Sequence, residues 1–250
     1  MLFTNLIQTN LQTSFIGRNI EYFSFTESTN DDAFEFINDN EAKDGMLIIT
    51  DNQTNGRGRR NNKWHSSPGS NLTFSLILKK TDDSDLGLFS ILIGVAIVKG
   101  IEKFTNINCT LKWPNDIILN KKKIGGILIE TKHNSPFFVI GVGLNVNQQE
   151  MPVEIEKTAS SIRIEKTNPI QREPLLAFIL NEFENLYNSE SVNWITEWKK
   201  YCDHINKPVS FNHNNELVNG LFIDVNNDGN AIVNIEEQQV IISSGVLEIL

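Results

Sequence analysis

Two apolar runs of strand length, Met46–Thr50 and Asn71–Leu78, are separated by a polar segment that runs from Asp51 to Gly69. This is too long for a simple turn, and connections of such length are usually functional or disordered. The segment contains Gln53-Thr54-Asn55-Gly56-Arg57-Gly58-Arg59-Arg60-Asn61-Asn62-Lys63-Trp64. Gly56 and Gly58 permit backbone conformations closed to other residues and let main-chain N–H groups approach a ligand. Arg57, Arg59, Arg60 and Lys63 add four cations with no acid among them. Arginine suits two-pronged recognition of carboxylate or phosphate. The plainer alternatives are a solvated basic loop or a nucleic-acid patch.

Charge tests those alternatives. With 22 Lys+Arg against 31 Asp+Glu, the chain carries −9 at pH 7, which argues against coating nucleic acid or an anionic membrane. The charge is unevenly spread. Residues 52–81 hold six cations and no acid, and residues 103–123 hold five cations and one acid, Asp116. Cys109 and Cys202 lie far apart without a C-x-x-C partner, which fits a reducing cytoplasm rather than a disulfide framework. The first residues lack a signal-peptide pattern. The most apolar stretch, Leu88–Val98, is too short to span a bilayer and reads as a buried helix.

Periodicity supplies the frame. A strand is expected at Ile20–Phe25, and Ser28-Thr29-Asn30-Asp31 opens an amphipathic helix carrying Ala33, Phe34, Phe36 and Ile37. A long helix follows over Leu86–Phe104, then four β runs at Cys109–Trp113, Asp116–Leu119, Lys123–Thr131 and Phe137–Asn145. Helical spacing returns at Glu173–Tyr187 and Val192–Tyr201. From His204 the chain changes to short strands with Asn-rich turns at Asn212–Asn215 and Asn226–Asn230, which predicts a small β-barrel. The expected organisation is an α+β fold with domains at 1–203 and 204–250.

Two further segments bear chemistry. Lys112-Trp113-Pro114-Asn115-Asp116 reads equally as a hairpin turn and as a site, Asp116 being the hard oxygen donor that Mg²⁺ takes. Lys123 stands before Ile124-Gly125-Gly126, where the glycines let a ligand lie close to the backbone. Gly141-Val142-Gly143 resembles a dinucleotide fingerprint only superficially, since the third glycine is missing and a strand surrounds it. Walker A, G-x-S-x-G and H-E-x-x-H patterns are all absent from the sequence, and His65, His133, His204 and His213 form no ligand spacing.

Taken in order, these segments resemble the biotin–protein ligases (biotin–[acetyl-CoA-carboxylase] ligases) over nearly the whole chain. The motifs are Ser28-Thr29-Asn30, Gln53 with Gly56-Arg57-Gly58-Arg59-Arg60 and Lys63-Trp64, Lys112-Trp113-Pro114-Asn115-Asp116 and Lys123-Ile124-Gly125-Gly126. Gly143-Leu144-Asn145-Val146-Asn147 and Asn206-Lys207-Pro208-Val209 complete them. The resemblance implies a catalytic domain related to class II aminoacyl-tRNA synthetases, with a mixed sheet, flanking helices and an SH3-like C-terminal barrel. It implies adenylation of biotin by ATP with Mg²⁺, then transfer from biotinyl-5′-AMP to one lysine of a biotin carboxyl carrier domain.

By the same resemblance, Ser28, Thr29, Asn30 and Gln53 bind the ureido ring, with Arg57, Gly58, Arg59 and Lys123 along the rest of biotin. Arg57, Arg59, Trp64, Lys112, Asn115, Lys123 and Asn145 are the ATP-binding candidates, Trp64 covering the adenine and Asn145 reading its edge. Arg57 and Lys123 hold the carboxylate and α-phosphate, and Asp116 serves the metal or the acceptor lysine. Pairing of two copies through sheet edges is a further expectation. Asn61-Asn62 depart from the family's usual glycine and cation before Lys-Trp, which weakens expected phosphate contacts there. The 27 residues before Ser28 are too few for the helix-turn-helix of some relatives, so a monofunctional type without nucleic-acid binding is expected. The rival readings are a lipoate–protein ligase of the same fold and a non-enzymatic nucleic-acid-binding protein.

Overall fold

A computed structural model describes residues 1–81, 85–213 and 216–250. In chain order the elements before the first long helix are α1 (Thr4–Asn10), β1 (Ile20–Phe23), α2 (Thr29–Asn38), β2 (Met46–Thr50) and β3 (Leu72–Lys79). Then follow α3 (Leu86–Thr105), β4 (Thr110–Lys112), β5 (Asp116–Leu119), β6 (Lys122–Thr131), β7 (Phe137–Leu144), α4 (Ile162–Lys166), α5 (Arg172–Tyr187) and α6 (Trp194–Tyr201). The last strands are β8 (Lys207–His213), β9 (Glu216–Val225), β10 (Ala231–Ile235), β11 (Gln238–Ile242) and β12 (Glu248–Ile249). Of the turn expected at 212–215, Asn214 and Asn215 lie outside the described residues. The turn at 226–230 is present, the Asn226 side chain accepting from the N–H groups of Asp228 and Asn230.

Seven strands form one sheet in the order β1-β2-β3-β7-β6-β5-β4, with β1 and β2 parallel and the other pairs antiparallel. The mixed sheet with flanking helices agrees with the α+β expectation. Side chains alternate between faces along each strand. On one face Leu72, Phe74, Leu76, Phe138, Ile140 and Leu144 join α3 and α5 in a continuous core. Helices α3 and α5 meet closely at Gly100, where an added Cβ would stand 2.7 Å from the Ile179 Cα.

The opposite face changes character along its length. Met46, Ile48, Ile77 and Val139 pack under Ala33 and Phe34 of α2. Further along the same strands the positions become small or polar: Thr73 and Ser75 on β3, Gly141 and Gly143 on β7. These pair across the strands, Thr73 with Gly143 and Ser75 with Gly141. The uncovered stretch of sheet is thus too thin to be core, and it forms the floor of a cavity.

The second sheet, β11-β10-β9-β8-β12, is antiparallel throughout. Its inner residues, including Val209, Phe211, Phe222 and Val233, belong to the same core as the large sheet. Trp113 joins the two: its indole N–H donates to the Gly229 carbonyl at 2.9 Å, and its backbone N–H to His204 Nε2 at 3.4 Å. Among the described residues no helix is long and apolar enough to cross a membrane.

Burial pushes His204 down from the ordinary 6.5 to about 4, so the ring is a neutral acceptor for Trp113. The unfolded chain then takes up the proton first as acid is added, and stability is lost between about pH 6.5 and about pH 4. Thermal melts over that range should fall for the wild type with a slope of up to roughly 1.4 kcal/mol per pH unit from this group. In His204→Asn the slope should be shallower by that amount; an identical slope would remove His204 from the account.

Candidate active site

The site is built on the small-residue floor. Ser28 caps α2, its hydroxyl accepting from the Asp31 N–H at 3.4 Å. The cap delivers Thr29 and Asn30, both buried, onto the sheet. Gln53 follows β2 and its Oε1 accepts from the Thr29 N–H at 3.0 Å. An added Cβ on Gly141 would overlap the Asn30 amide, one on Gly143 the Trp64 indole, and one on Gly56 the Gln53 amide. Three of the glycines noted in the sequence therefore make room for site side chains.

The polar loop folds into a tight hairpin. Arg57 pairs with Lys63 in an antiparallel bridge, and the Gly58 N–H donates to the Asn62 carbonyl at 2.7 Å. Residues Arg59–Asn61 form a 3₁₀ turn in which Arg60 has φ 56°. Trp64 then crosses to Gly143, its buried indole N–H having no partner among the described residues. A cavity of about 180 Å³ lies between loop and sheet. It is lined by Ser28, Thr29, Asn30, Gln53, Arg57, Gly58, Arg59, Trp64, Lys112, Asn115, Asp116 and Lys123, which are all but one of the sequence-derived candidates.

Asn145 is the exception. It is 3% exposed and does not line the cavity; its Nδ2 donates to the Ser160 carbonyl at 3.0 Å and its Oδ1 accepts from Asn71 at 3.3 Å. Asn145 thus stands in a buried brace at the end of β7 rather than on the cavity wall. Asn115 is on the wall but also structural, its Nδ2 donating to the Ile127 carbonyl at 2.6 Å.

The cations do not all face the cavity unmatched. Arg57 is gripped bidentately by Asp31, at 2.5 and 2.6 Å, with Glu130 at 3.7 Å. The hydrogen bonds from Arg57 hold Asp31 below the usual carboxylate range and raise Arg57 in turn. Lys123 Nζ lies 2.5 Å from Asp116 Oδ1. Arg59 differs: among the described residues it forms no ion pair, its side chain donates to the Gly245 carbonyl at 3.3 Å, and burial, with repulsion from Arg60, lowers its pKa against a smaller opposing pull from Asp116. A guanidinium that is desolvated without an acid attracts an anion most strongly. Among the described residues no three His, Cys, Asp or Glu side chains group as a metal site. Sequence reasoning missed Asp31 and Glu130 as partners of Arg57, and Val246 and Leu247, which reach the cavity from the second sheet. An acid beside Ser28-Thr29-Asn30 was the one visible signal.

The sequence profile of the Biotin/lipoate A/B protein ligase family matches residues 22–147, and that of the biotin protein ligase C terminal domain matches residues 204–248. The bifunctional ligase/repressor BirA of Bacillus subtilis (strain 168) is 34% identical over 226 residues, 86% of this chain and 68% of that protein. The biotin–[acetyl-CoA-carboxylase] ligase of Mycobacterium tuberculosis is 31% identical over 150 residues, 58% of this chain and 55% of that protein. The biotin protein ligase from Aquifex aeolicus, solved in complex with biotin and ATP, superposes with a TM-score of 0.82 at 26% identity, covering 92% of this chain and 98% of that one.

The contact between Trp64 and Gly143 is directly testable. Gly143→Ala should cost about 1–3 kcal/mol of stability through overpacking, measured by urea denaturation. In a Trp64→Ala background the same substitution should cost less than about 0.5 kcal/mol, because no indole remains to displace.

Proposed function

Because this chain belongs to the Biotin/lipoate A/B protein ligase family, we propose that it is an ATP-dependent biotin–protein ligase. It joins biotin to AMP with release of pyrophosphate, then passes biotin to a lysine of a biotin carboxyl carrier domain. The observation that carries this reading is one cavity with two unlike ends: a floor of paired polar groups around Thr29, Asn30 and Gln53, and a rim of cations around Arg59 and Lys123. A ureido ring brings two N–H groups and a carbonyl that need partners once buried. A dithiolane brings neither, so a lipoyl head would leave the floor unpaired. This supports biotin over lipoate.

In the first step the biotin carboxylate attacks the α-phosphate of ATP, and the bond to the β-phosphate oxygen breaks. Two anions must approach, and fixed cations lower that barrier. Arg59 already stands without a carboxylate in ion-pair contact among the described residues. Arg57 and Lys123 take part by exchanging Asp31 and Asp116 for the incoming anions. Trp64 supplies a flat wall for the adenine. Asp116 is the one carboxylate lining the cavity among the described residues, and one carboxylate with phosphate oxygens is a donor set that Mg²⁺ accepts. Held there, the ion would offset the charge of departing pyrophosphate. In the second step the carrier lysine attacks the anhydride carbonyl and AMP leaves. Residues 1–203 would carry this chemistry, with 204–250 closing one wall. A cytoplasmic location and pairing of two copies accompany the reading.

Incubation with ATP, a carrier domain, and either labelled biotin or labelled lipoate tests it; transfer of lipoate alone would overturn it. Arg59→Ala, Lys123→Ala and Arg57→Ala should each lose roughly 10²–10³ in the rate of adenylate formation. Full activity in Arg59→Ala and Lys123→Ala together would reject the site. Amide exchange across 56–63 should slow at least tenfold with biotin plus ATP, as the hairpin closes over a water-sensitive anhydride. Equal exchange in both states would rule out closure.

A further inference from the structure

Ser75 is fully buried in the middle of β3 between Phe74 and Leu76, and it does not line the cavity. A hydroxyl in such a place needs partners. It lies 2.7 Å from Thr29 Oγ1 and 2.6 Å from Asn30 Oδ1. Its cross-strand partner is Gly141, whose missing side chain leaves the space that the Asn30 amide fills. On the other side Asn30 Nδ2 donates to Glu130 Oε2 at 2.7 Å. Neither Ser75 nor Glu130 touches the cavity.

These contacts set the direction of the Asn30 amide and of the Ser75 proton. A carboxylate oxygen only accepts, so Glu130 turns the Asn30 nitrogen toward itself and the Asn30 oxygen toward Ser75. Ser75 has one proton. Given to Asn30, it leaves Ser75 an acceptor at 2.7 Å for the Thr29 proton, whose other acceptor is Gln53 Oε1 at 3.3 Å. Thr29 then shows lone pairs to the cavity, and Asn30 shows its second amide N–H. An acceptor beside a donor is the complement of a ureido edge, which offers an N–H beside a carbonyl.

We propose that Ser75, supported by Glu130, is a positioning residue that sets the hydrogen-bond polarity of Thr29 and Asn30 toward the ureido head of biotin. This rests on the biotin-ligase reading of the same cavity. Without the hydroxyl, Thr29 keeps only its longer bond to Gln53 and Asn30 only its bond to Glu130, so both are held less tightly and the floor distinguishes a good carbonyl acceptor from a poor one less sharply.

The test measures adenylate formation by wild type, Ser75→Ala and Glu130→Gln with biotin and with its analogue carrying sulfur in place of the ureido oxygen. Ser75→Ala should raise KM for biotin roughly tenfold with kcat changed less than about twofold. The preference for biotin over the sulfur analogue should shrink by a similar factor. Glu130→Gln, at the surface end of the network, should show the same loss of preference in smaller degree. A purely structural role would lower the melting temperature without altering the preference. If wild type forms adenylate and both variants keep its KM and preference, the assignment is wrong while the functional reading stands. If wild type forms no biotinyl adenylate, the functional reading fails and the assignment with it.

Discussion

The register between β3 and β7 is the constraint on which the rest of the molecule depends. It sets Phe74, Leu76, Ile140 and Leu144 on the helix side and Thr73, Ser75, Gly141 and Gly143 on the other. A slip of one residue would exchange the two sets completely. Phenylalanine and leucine would then fill the cavity, and threonine and serine would face α3 without partners. Burying each of those large side chains contributes about 1.5–3 kcal/mol, so the core enforces the register that the site requires. Stability and chemistry are opposite faces of the same hydrogen-bonded strands.

Charge is organised in the same economical way. The acids that neutralise Arg57 and Lys123 arrive from helix α2 and from strand β5, so the site can exist without ligand at little net charge. Ion pairs as exposed as Arg57 with Asp31 are worth little to folding, and their role is better understood as keeping long side chains in place. Arg59 departs from that pattern. Its partial burial, with Asp116 near but not in contact, is a cost to the fold that a bound anion can relieve.

Much of this was legible in the sequence, for local reasons. The Ser28 cap, the buried helix α3, the four β runs and the turn at Asn226 follow from short-range patterns, and each stands within a few residues of its expected bounds. Helices α1 and α4 were not foreseen, being short and without a clear apolar stripe. The partners of the site were hidden because they depend on pairing across long separations. Residues 52–81 contain no acid, yet Asp31 and Glu130 both reach Arg57 once the sheet forms. Ser75 read as one polar residue in an apolar strand. Asn145 had the right company in sequence, but it lies just past the end of β7, where Asn71 and the Ser160 carbonyl, distant in sequence, draw its amide into a buried brace.

Leu247, fully buried, and the Gly245 carbonyl complete a wall whose floor comes from residues 28–143. The two are far apart along the chain, and such contacts form late because a long loop must first be closed. During synthesis the floor leaves the ribosome well before that wall exists. A nascent chain would therefore present its polar pocket open to water, unable to shelter a reactive anhydride. The cavity is thus complete only in a chain that has assembled its second sheet.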